Sequence, residues 1–329
     1  MSKVIPIMPI RTHPVPSVEA KFIELQLHNV CNYTCSFCGP RHRGGDKRWG
    51  SLEESKTIID KIANACQGSP FWVQLTGGEP TLMPDLLELL EYIKHKGGYT
   101  SLISNGSRTI RWWTELRDKK ILDLLFVTYH PEQTSDIEHV KDVLQLFHNE
   151  PTNTLCLITH ITGNVKDAFD AFEYLKEHTG ASVTVKGMMI HEYDIYQTYT
   201  DDELAHLKEL NWVKGVLWES KTKSTIPERH RHKANMLEIY EDGSVKIREP
   251  QEIFKDNTNV YTGWKCDIGK TTLRIDVDTI YRGVCSVGGV IGHTSDTEYK
   301  FTNDFVTCNL PFCFCGTDML TNKYKIDKG

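Results

Sequence analysis

Residues 22–38 read FIELQLHNVCNYTCSFC. Phe22 to His28 is a β-rich run, and Cys31, Cys35 and Cys38 fall in the loop directly after it. Three thiolates within eight residues can converge on one centre. Soft sulfur ligands of this kind select iron–sulfur clusters, zinc or copper(I).

Outward from this stretch the pattern repeats. Further β-rich runs occur at Trp72–Thr76, Thr100–Ser104, Leu124–Tyr129, Leu155–Ile161 and Ser182–Ile190. Helix-like segments lie between them, such as Pro84–Lys96, with Leu86, Leu87, Leu89 and Leu90, and Ile137–Phe147. Successive βα units predict a parallel sheet with helices outside, because each right-handed crossover returns to the same sheet. Six such units close most of a barrel. The expected fold class is α/β, a partial (β/α)6 TIM-like barrel, with chemistry at the C-terminal ends of the strands where the βα loops converge.

After Trp212 the pattern changes. Residues 221–233, KTKSTIPERHRHK, hold five Lys/Arg and one acid. MLEIYEDGSVKI and TTLRIDVDTIYRGVC then read as hairpins turning at Asp242-Gly243 and near Asp278. The expected division is an N-terminal extension over 1–20, the barrel over 21–214 and a small cysteine-rich α+β domain over 215–329. The few short strands of this last part look too meagre for a self-sufficient core, and a bound metal centre would supply the missing stability.

Composition narrows the function. The 329 residues are 39% hydrophobic and 25% charged, the make-up of a packed chain and not of a disordered one. A net charge of -6 gives no global attraction to nucleic acid or to an anionic membrane, so any polyanion site is local. No apolar run approaches the roughly 18 residues of a membrane span. The opening MSKVIPIMPIRTHPVPS, broken by four prolines, has neither a signal-peptide core nor a transit helix. A cytoplasmic protein without a membrane partner is expected. Ten clustered cysteines with no export signal point to metal or cluster ligation and away from a disulfide scaffold.

The N-terminal triplet provides three ligands, not four. A position left open binds and activates a small molecule, whereas a structural zinc site closes it. His28 or His42 would be the closing ligand in the zinc reading.

Cys31, Cys35 and Cys38 match the CxxxCxxC motif of the radical S-adenosylmethionine superfamily. Phe37 matches the aromatic that commonly precedes its third cysteine, and Gly77-Gly78-Glu79-Pro80 resembles its GGEP motif. The resemblance implies a [4Fe-4S] cluster on the three cysteines, with S-adenosylmethionine chelating the fourth iron. It implies one-electron cleavage to a 5'-deoxyadenosyl radical that takes hydrogen from a substrate. It also implies cofactor contacts at Phe37, Gly77, Gly78 and Glu79 and, at the end of the third strand, at Ser104 and Asn105. Gly77 and Gly78 allow close backbone approach to a ligand, and Glu79 can pair with an ammonium group. Without the cysteines, the same residues would read as ordinary turns and a helix start.

Cys266, Cys285, Cys308, Cys313 and Cys315 resemble the twitch or SPASM extension of that superfamily. The resemblance implies one auxiliary [4Fe-4S] cluster, with one thiol to spare. A four-cysteine zinc ribbon is the competing reading. Cys66 and Cys156 sit in a helix and a strand pattern and read as buried core thiols. Tyr129, His130, Glu132, His160, Lys186, His191 and Glu192 stand at or near strand ends. Among them His130, His160 and Lys186 are the candidate substrate contacts, since histidine titrates near neutrality and lysine responds to burial.

Together these features imply a radical SAM oxidoreductase or isomerase acting on a small-molecule or nucleotide-type substrate, served by an electron donor such as a flavodoxin or ferredoxin. The alternative substrates are a peptide or a base within nucleic acid, which would have to be unstacked. The basic stretch keeps a nucleic-acid partner open. A reading of another class, a zinc-binding module that recognises nucleic acid, leaves the open three-cysteine site and GGEP unexplained.

Overall fold

The computed structural model describes residues 9–15, 20–134, 136–150, 153–160, 165–179, 181–187, 200–203, 205, 235–248, 252–253, 256, 258–313 and 316–325. After a first strand, β1 (Arg11–Val15), come β2 (Lys21–Gln26), β3 (Phe71–Thr76), β4 (Tyr99–Ser104), β5 (Leu124–Tyr129), β6 (Asn153–His160) and β7 (Ser182–Gly187). The last six pair in chain order, all parallel. The chain crosses back through α1 (Pro40–Arg43) and α2 (Leu52–Cys66), then α3 (Leu86–His95), α4 (Ile110–Lys119), α5 (Ile137–Leu146) and α6 (Val165–His178).

Local chemistry sets the helix starts. Ser51 accepts the Glu54 N–H while Glu54 reaches back to the Ser51 N–H, a capping box that opens α2. Thr109 caps α4 in the same sense through the Trp112 N–H. The pleat gives each barrel strand two buried faces. Ile23, Leu25, Val73, Leu75 and Leu125 join the main core, together with Ile59, Leu89 and Val143 of the helices. Phe22, Trp72, Leu124 and Phe126, on the opposite faces, form a second cluster inside the curve of the sheet.

The C-terminal residues extend this sheet. β11 (Thr272–Asp276) pairs parallel to β2, and β12 (Thr279–Tyr281) and β13 (Val290–His293) follow antiparallel. The second sheet is antiparallel, in the order β14 (Val306–Thr307), β10 (Lys265–Cys266), β15 (Lys323–Tyr324), β1, β8 (Asn235–Ile239) and β9 (Val245–Arg248). One more short helix, α7 (Gly316–Met319), precedes β15. The core here is small, centred on Met236, Ile253, Tyr261, Trp264, Cys313 and Met319.

Two features differ from the sequence expectation. Residues 1–20 were expected to be an extension ahead of the first strand, yet Arg11–Val15 is a strand between β15 and β8. Pro14 is compatible with this because β15 pairs only with Arg11 and Thr12, which leaves the ladder one-sided at Pro14. The second hairpin does not stay in its own part but widens the barrel sheet. Its turn is sharp, with Val277 at φ 55°, while the other hairpin turns at Gly243 with φ 80°. The boundary at 214/215 and the basic stretch 221–233 lie outside the described residues. Among those described, no helix is long and apolar enough to cross a membrane.

Candidate active site

Because β2 to β7 run parallel, Gln26, Thr76, Ser104, Tyr129, His160 and Gly187 end on one side of the sheet. The Cys31–Cys38 loop leaves from that side and is bound by three neighbouring loops. The Glu79 N–H donates to Val30 O (2.8 Å). Asn105 Nδ2 donates to Asn32 Oδ1 (2.9 Å), and Asn32 Nδ2 to Ser107 Oγ (2.9 Å). Glu132 accepts the Ser36 N–H at 3.0 and 3.1 Å, and Gln133 Oε1 accepts the Thr34 N–H at 2.9 Å. The backbone and Asn32 carry most of this anchoring.

The GGEP turn is a packing device as well as a ligand platform. Gly77 and Gly78 have φ of 83° and 27°. A Cβ at Gly77 would meet Gln26 Cγ at 2.0 Å, and one at Gly78 would meet Val30 O at 2.2 Å. Only glycine lets this turn lie on the start of the cysteine loop. Glu79 is 1% exposed. Its Oε1 accepts from Thr81 N–H (3.1 Å), Thr81 Oγ1 (2.6 Å) and Ser104 Oγ (2.7 Å), and its Oε2 from the Asn105 N–H (2.7 Å). Burial raises its pKa, and these bonds oppose the rise. Oε2 keeps acceptor capacity for one further donor.

His130 packs against the cysteines. Its ring stacks with Phe37 (5.8 Å, 15°) and meets Tyr33 edge-on (5.8 Å, 85°). Nδ1 lies 3.6 Å from Cys35 Sγ, and Nε2 lies 2.8 Å from Thr128 Oγ1. Burial lowers its pKa to about 4, which leaves the ring neutral. Cys35 is buried and Cys31 and Cys38 are half-buried. Burial, then Glu132 and the other two thiols, pushes Cys35 up to about 12. That mutual influence puts the three sulfurs in one neighbourhood.

The two histidines that could have closed a zinc site each have Nδ1 engaged away from the thiols, while the buried His28 Nε2 has no partner among the described residues. His28 Nδ1 accepts the Val30 N–H (3.2 Å) and its ring meets Trp49 edge-on, while His42 Nδ1 sits 3.0 Å from Gln26 Oε1. Among the described residues no three His, Cys, Asp or Glu side chains are grouped to share one metal ion. A zinc ion takes its sulfur ligands at about 2.3 Å and so gathers them tightly. A four-iron cluster takes each thiolate on a different iron and holds them further apart. Three soft thiols without a fourth protein ligand fit the cluster.

Cys266, Cys285, Cys308 and Cys313 lie within electrostatic reach of one another. Register pairs Cys266 with Val306, two residues before Cys308. Cys285 closes the β12 hairpin and Cys313 is pinned by Asn259, whose Nδ2 donates to Cys313 O (2.8 Å). Burial raises the pKa of Cys285, Cys308 and Cys313, and each also feels Cys266. Asp318, 2% exposed, accepts the Cys285 N–H (2.5 Å). Cys315 lies outside the described residues.

Phe37, Gly77, Gly78, Glu79, Ser104 and Asn105 are thus gathered at the cysteine loop. His160 and Lys186 occupy the strand ends in backbone only, and His191 and Glu192 lie outside the described residues. Cys66 is buried in the main core. Sequence reasoning did not single out Asn32, Gln133, Arg41, Arg274 or Asp276. Arg41, just past Cys38, forms an ion pair with Asp276. Arg41 and Arg274 both lie over Tyr281, at 5.4 and 4.2 Å. The alternation of Thr272, Arg274 and Asp276 with Leu273 and Ile275 was the available signal for a strand with one polar inner face.

A parallel partial barrel with a three-thiol loop at the strand C-termini is the arrangement that these residues build. A profile of the radical SAM superfamily matches residues 25–210, over half of the chain, and the chain belongs to that superfamily. Membership implies S-adenosylmethionine and a [4Fe-4S] cluster as cofactors. GTP 3',8-cyclase of Haemophilus ducreyi is 30% identical over 126 residues, 33% of this chain and 36% of that protein. Probable GTP 3',8-cyclase of Thermococcus kodakarensis is 36% identical over 87 residues, 26% of this chain and 27% of that protein. The chain therefore spans only about a third of the length of these curated relatives. Among solved structures, a hexahistidine-tagged anSMEcpe with bound AdoMet superposes with a TM-score of 0.54 at 15% identity, over 84% of this chain and 78% of that one. Native anSMEcpe with bound AdoMet gives 0.51 at 16% identity over the same shares, 84% and 78%. At such identities the likeness is one of fold, the α/β partial barrel.

Proposed function

We propose that this chain is a radical SAM enzyme that oxidises or rearranges a small, nucleotide-type substrate. Cys31, Cys35 and Cys38 hold the [4Fe-4S] cluster. With the cluster and S-adenosylmethionine bound, an electron from a flavodoxin- or ferredoxin-type donor yields the 5'-deoxyadenosyl radical that takes a substrate hydrogen. The chain's own residues position and enclose. Asn32, Asn105, Glu132 and Gln133 hold the cysteine loop, while Phe37, Tyr33 and neutral His130 shield it from water. Glu79 fixes Ser104 and Asn105 and offers its remaining Oε2 lone pair to a cofactor ammonium. Gly77 and Gly78 let their turn close on Gln26 and Val30 at the start of the cysteine loop. His160 and Lys186 stand at the strand ends nearest the substrate space.

Four of Cys266, Cys285, Cys308, Cys313 and Cys315 hold an auxiliary [4Fe-4S] cluster in a twitch-like domain. The nucleotide class draws its support from the GTP 3',8-cyclases among the relatives. The observation that carries the reading is the three-thiol loop, bonded to the loops after β3, β4 and β5, with Nδ1 of each candidate histidine turned to other partners.

The test is anaerobic reconstitution, iron and sulfide analysis, and assay of dithionite-driven S-adenosylmethionine cleavage. Cys35→Ala is expected to abolish 5'-deoxyadenosine formation. Retained cleavage in that variant, or zinc as the sole metal of the wild type, would overturn the proposal.

A further inference from the structure

The inner face of the sheet carries polar side chains that the cluster site does not use. Parallel register sets Arg274 beside Glu24, Glu24 beside Gln74, and Gln74 beside Ser101, one each from β11, β2, β3 and β4. Two residues earlier on the same faces, Phe22 and Trp72 are packed into the inner apolar cluster. Two residues later, Asp276 pairs with Arg41 and Gln26 with His42, both from α1. The row is a polar shelf between an apolar plug and the helix that follows the cysteines.

The shelf does not satisfy itself. Among the described residues the Glu24 side chain makes no hydrogen bond or ion pair, although it feels the charges of Arg274, its strand neighbour, and Arg41. Arg274 instead lies over Tyr281 (4.2 Å) and donates through Nη1 to Val284 O (2.8 Å), while its buried Nε has no partner among the described residues. Gln74 Oε1 accepts from Ser101 Oγ (3.3 Å). Glu24 is partly accessible although protein surrounds it.

Buried polar groups are normally paired, and here a carboxylate acceptor and a guanidinium with donors to spare stand side by side. Their complement is a flat edge with adjacent N–H donors next to a carbonyl oxygen. A phosphate would meet the Glu24 charge and is disfavoured at that point. Adenine offers one amino group beside a ring acceptor, whereas guanine offers N1–H and a 2-amino group beside O6. We infer that Glu24 and Arg274 read the guanine edge of the substrate, Glu24 accepting from N1–H and the 2-amino group and Arg274 donating to O6. This rests on the nucleotide reading above.

Equilibrium dialysis of the reconstituted, S-adenosylmethionine-loaded protein against GTP, ITP and ATP tests it. Wild type is expected to bind GTP about tenfold tighter than ITP, which lacks the 2-amino group, and tighter still than ATP. Glu24→Gln brings the GTP-to-ITP ratio close to one. Arg274→Gln weakens GTP and ITP alike and leaves their ratio intact. An unchanged ratio in Glu24→Gln, with circular dichroism and melting as in wild type, overturns the inference. Equal binding of all three nucleotides also overturns it and leaves the nucleotide reading standing. If wild type binds none of them, the nucleotide reading falls and this inference with it.

Discussion

Replacing Glu79 by glutamine tests whether this carboxylate is the knot that holds the site. The change keeps shape and turns one oxygen into an N–H2 group. If the amide oxygen stays at the Oε1 position, it retains the Thr81 and Ser104 donors, but N–H2 then faces the Asn105 N–H, which now donates to Oε2 at 2.7 Å. A charge-assisted bond of roughly 1.5–3 kcal/mol is lost and a buried N–H is left unpaired at about 1–3 kcal/mol. Turned the other way, the amide opposes three donors in place of one. Relief of the buried charge, whose pKa burial raises, offsets part of the loss. The net destabilisation is about 2–4 kcal/mol. Urea unfolding of the reconstituted variant reads this directly, and iron per chain reads its consequence, because Asn105 holds Asn32 of the cysteine loop. A midpoint equivalent to less than about 0.5 kcal/mol of change, with full iron content, would refute the assignment of Glu79 as the organising group.

Three further outcomes are expected. Gly78→Ala should strain the backbone by roughly 1–2 kcal/mol and press on Val30 O, so N-terminal iron falls; unaltered iron on reconstitution counts against the packing role. Glu24 has its pKa raised from 4.5 to about 7, chiefly by burial, so the folded state binds the extra proton between those values and its stability falls as pH rises through that window. The loss is at most about 3 kcal/mol, and Glu24→Gln should flatten the urea midpoint between pH 5 and 7; parallel profiles would contradict it. Asp318→Ala strands the Cys285 N–H at a cost of about 1–3 kcal/mol and should lower C-terminal iron alone, which cluster-specific electron paramagnetic resonance can check.

Legibility in the sequence followed the range of the interactions. The β2 to β7 strands and the position of the cysteine loop could be read because periodicity and turn residues are local signals. The GGEP turn was legible as a feature, but its packing was not, because the contacts of Gly77 with Gln26 and Gly78 with Val30 join separate loops. Strand Arg11–Val15 escaped because its partners, Asn235–Ile239 and Lys323–Tyr324, lie at the other end of the chain. Nothing local to the run Phe22–His28 says where the polar face at Glu24 points. Only the register with Arg274 and Gln74 turns that polar face inward.

That same register explains why the C-terminal residues matter to the barrel. Thr272–Asp276 pair with Phe22–Gln26 along the free edge of β2, and the cysteine loop begins just past that edge. Without β11 the β2 ladder would be open on one side, a position where strands are prone to fray or pair with other chains. Arg41 would lose Asp276, and Tyr281 would no longer sit between two guanidinium groups. The loop that carries the three thiols is therefore braced from one side by Glu79, Asn105 and Glu132 of the barrel and from the other by a hairpin over 200 residues further along the chain. The β2–β11 pair is therefore the support that the cysteine loop and the C-terminal hairpin share.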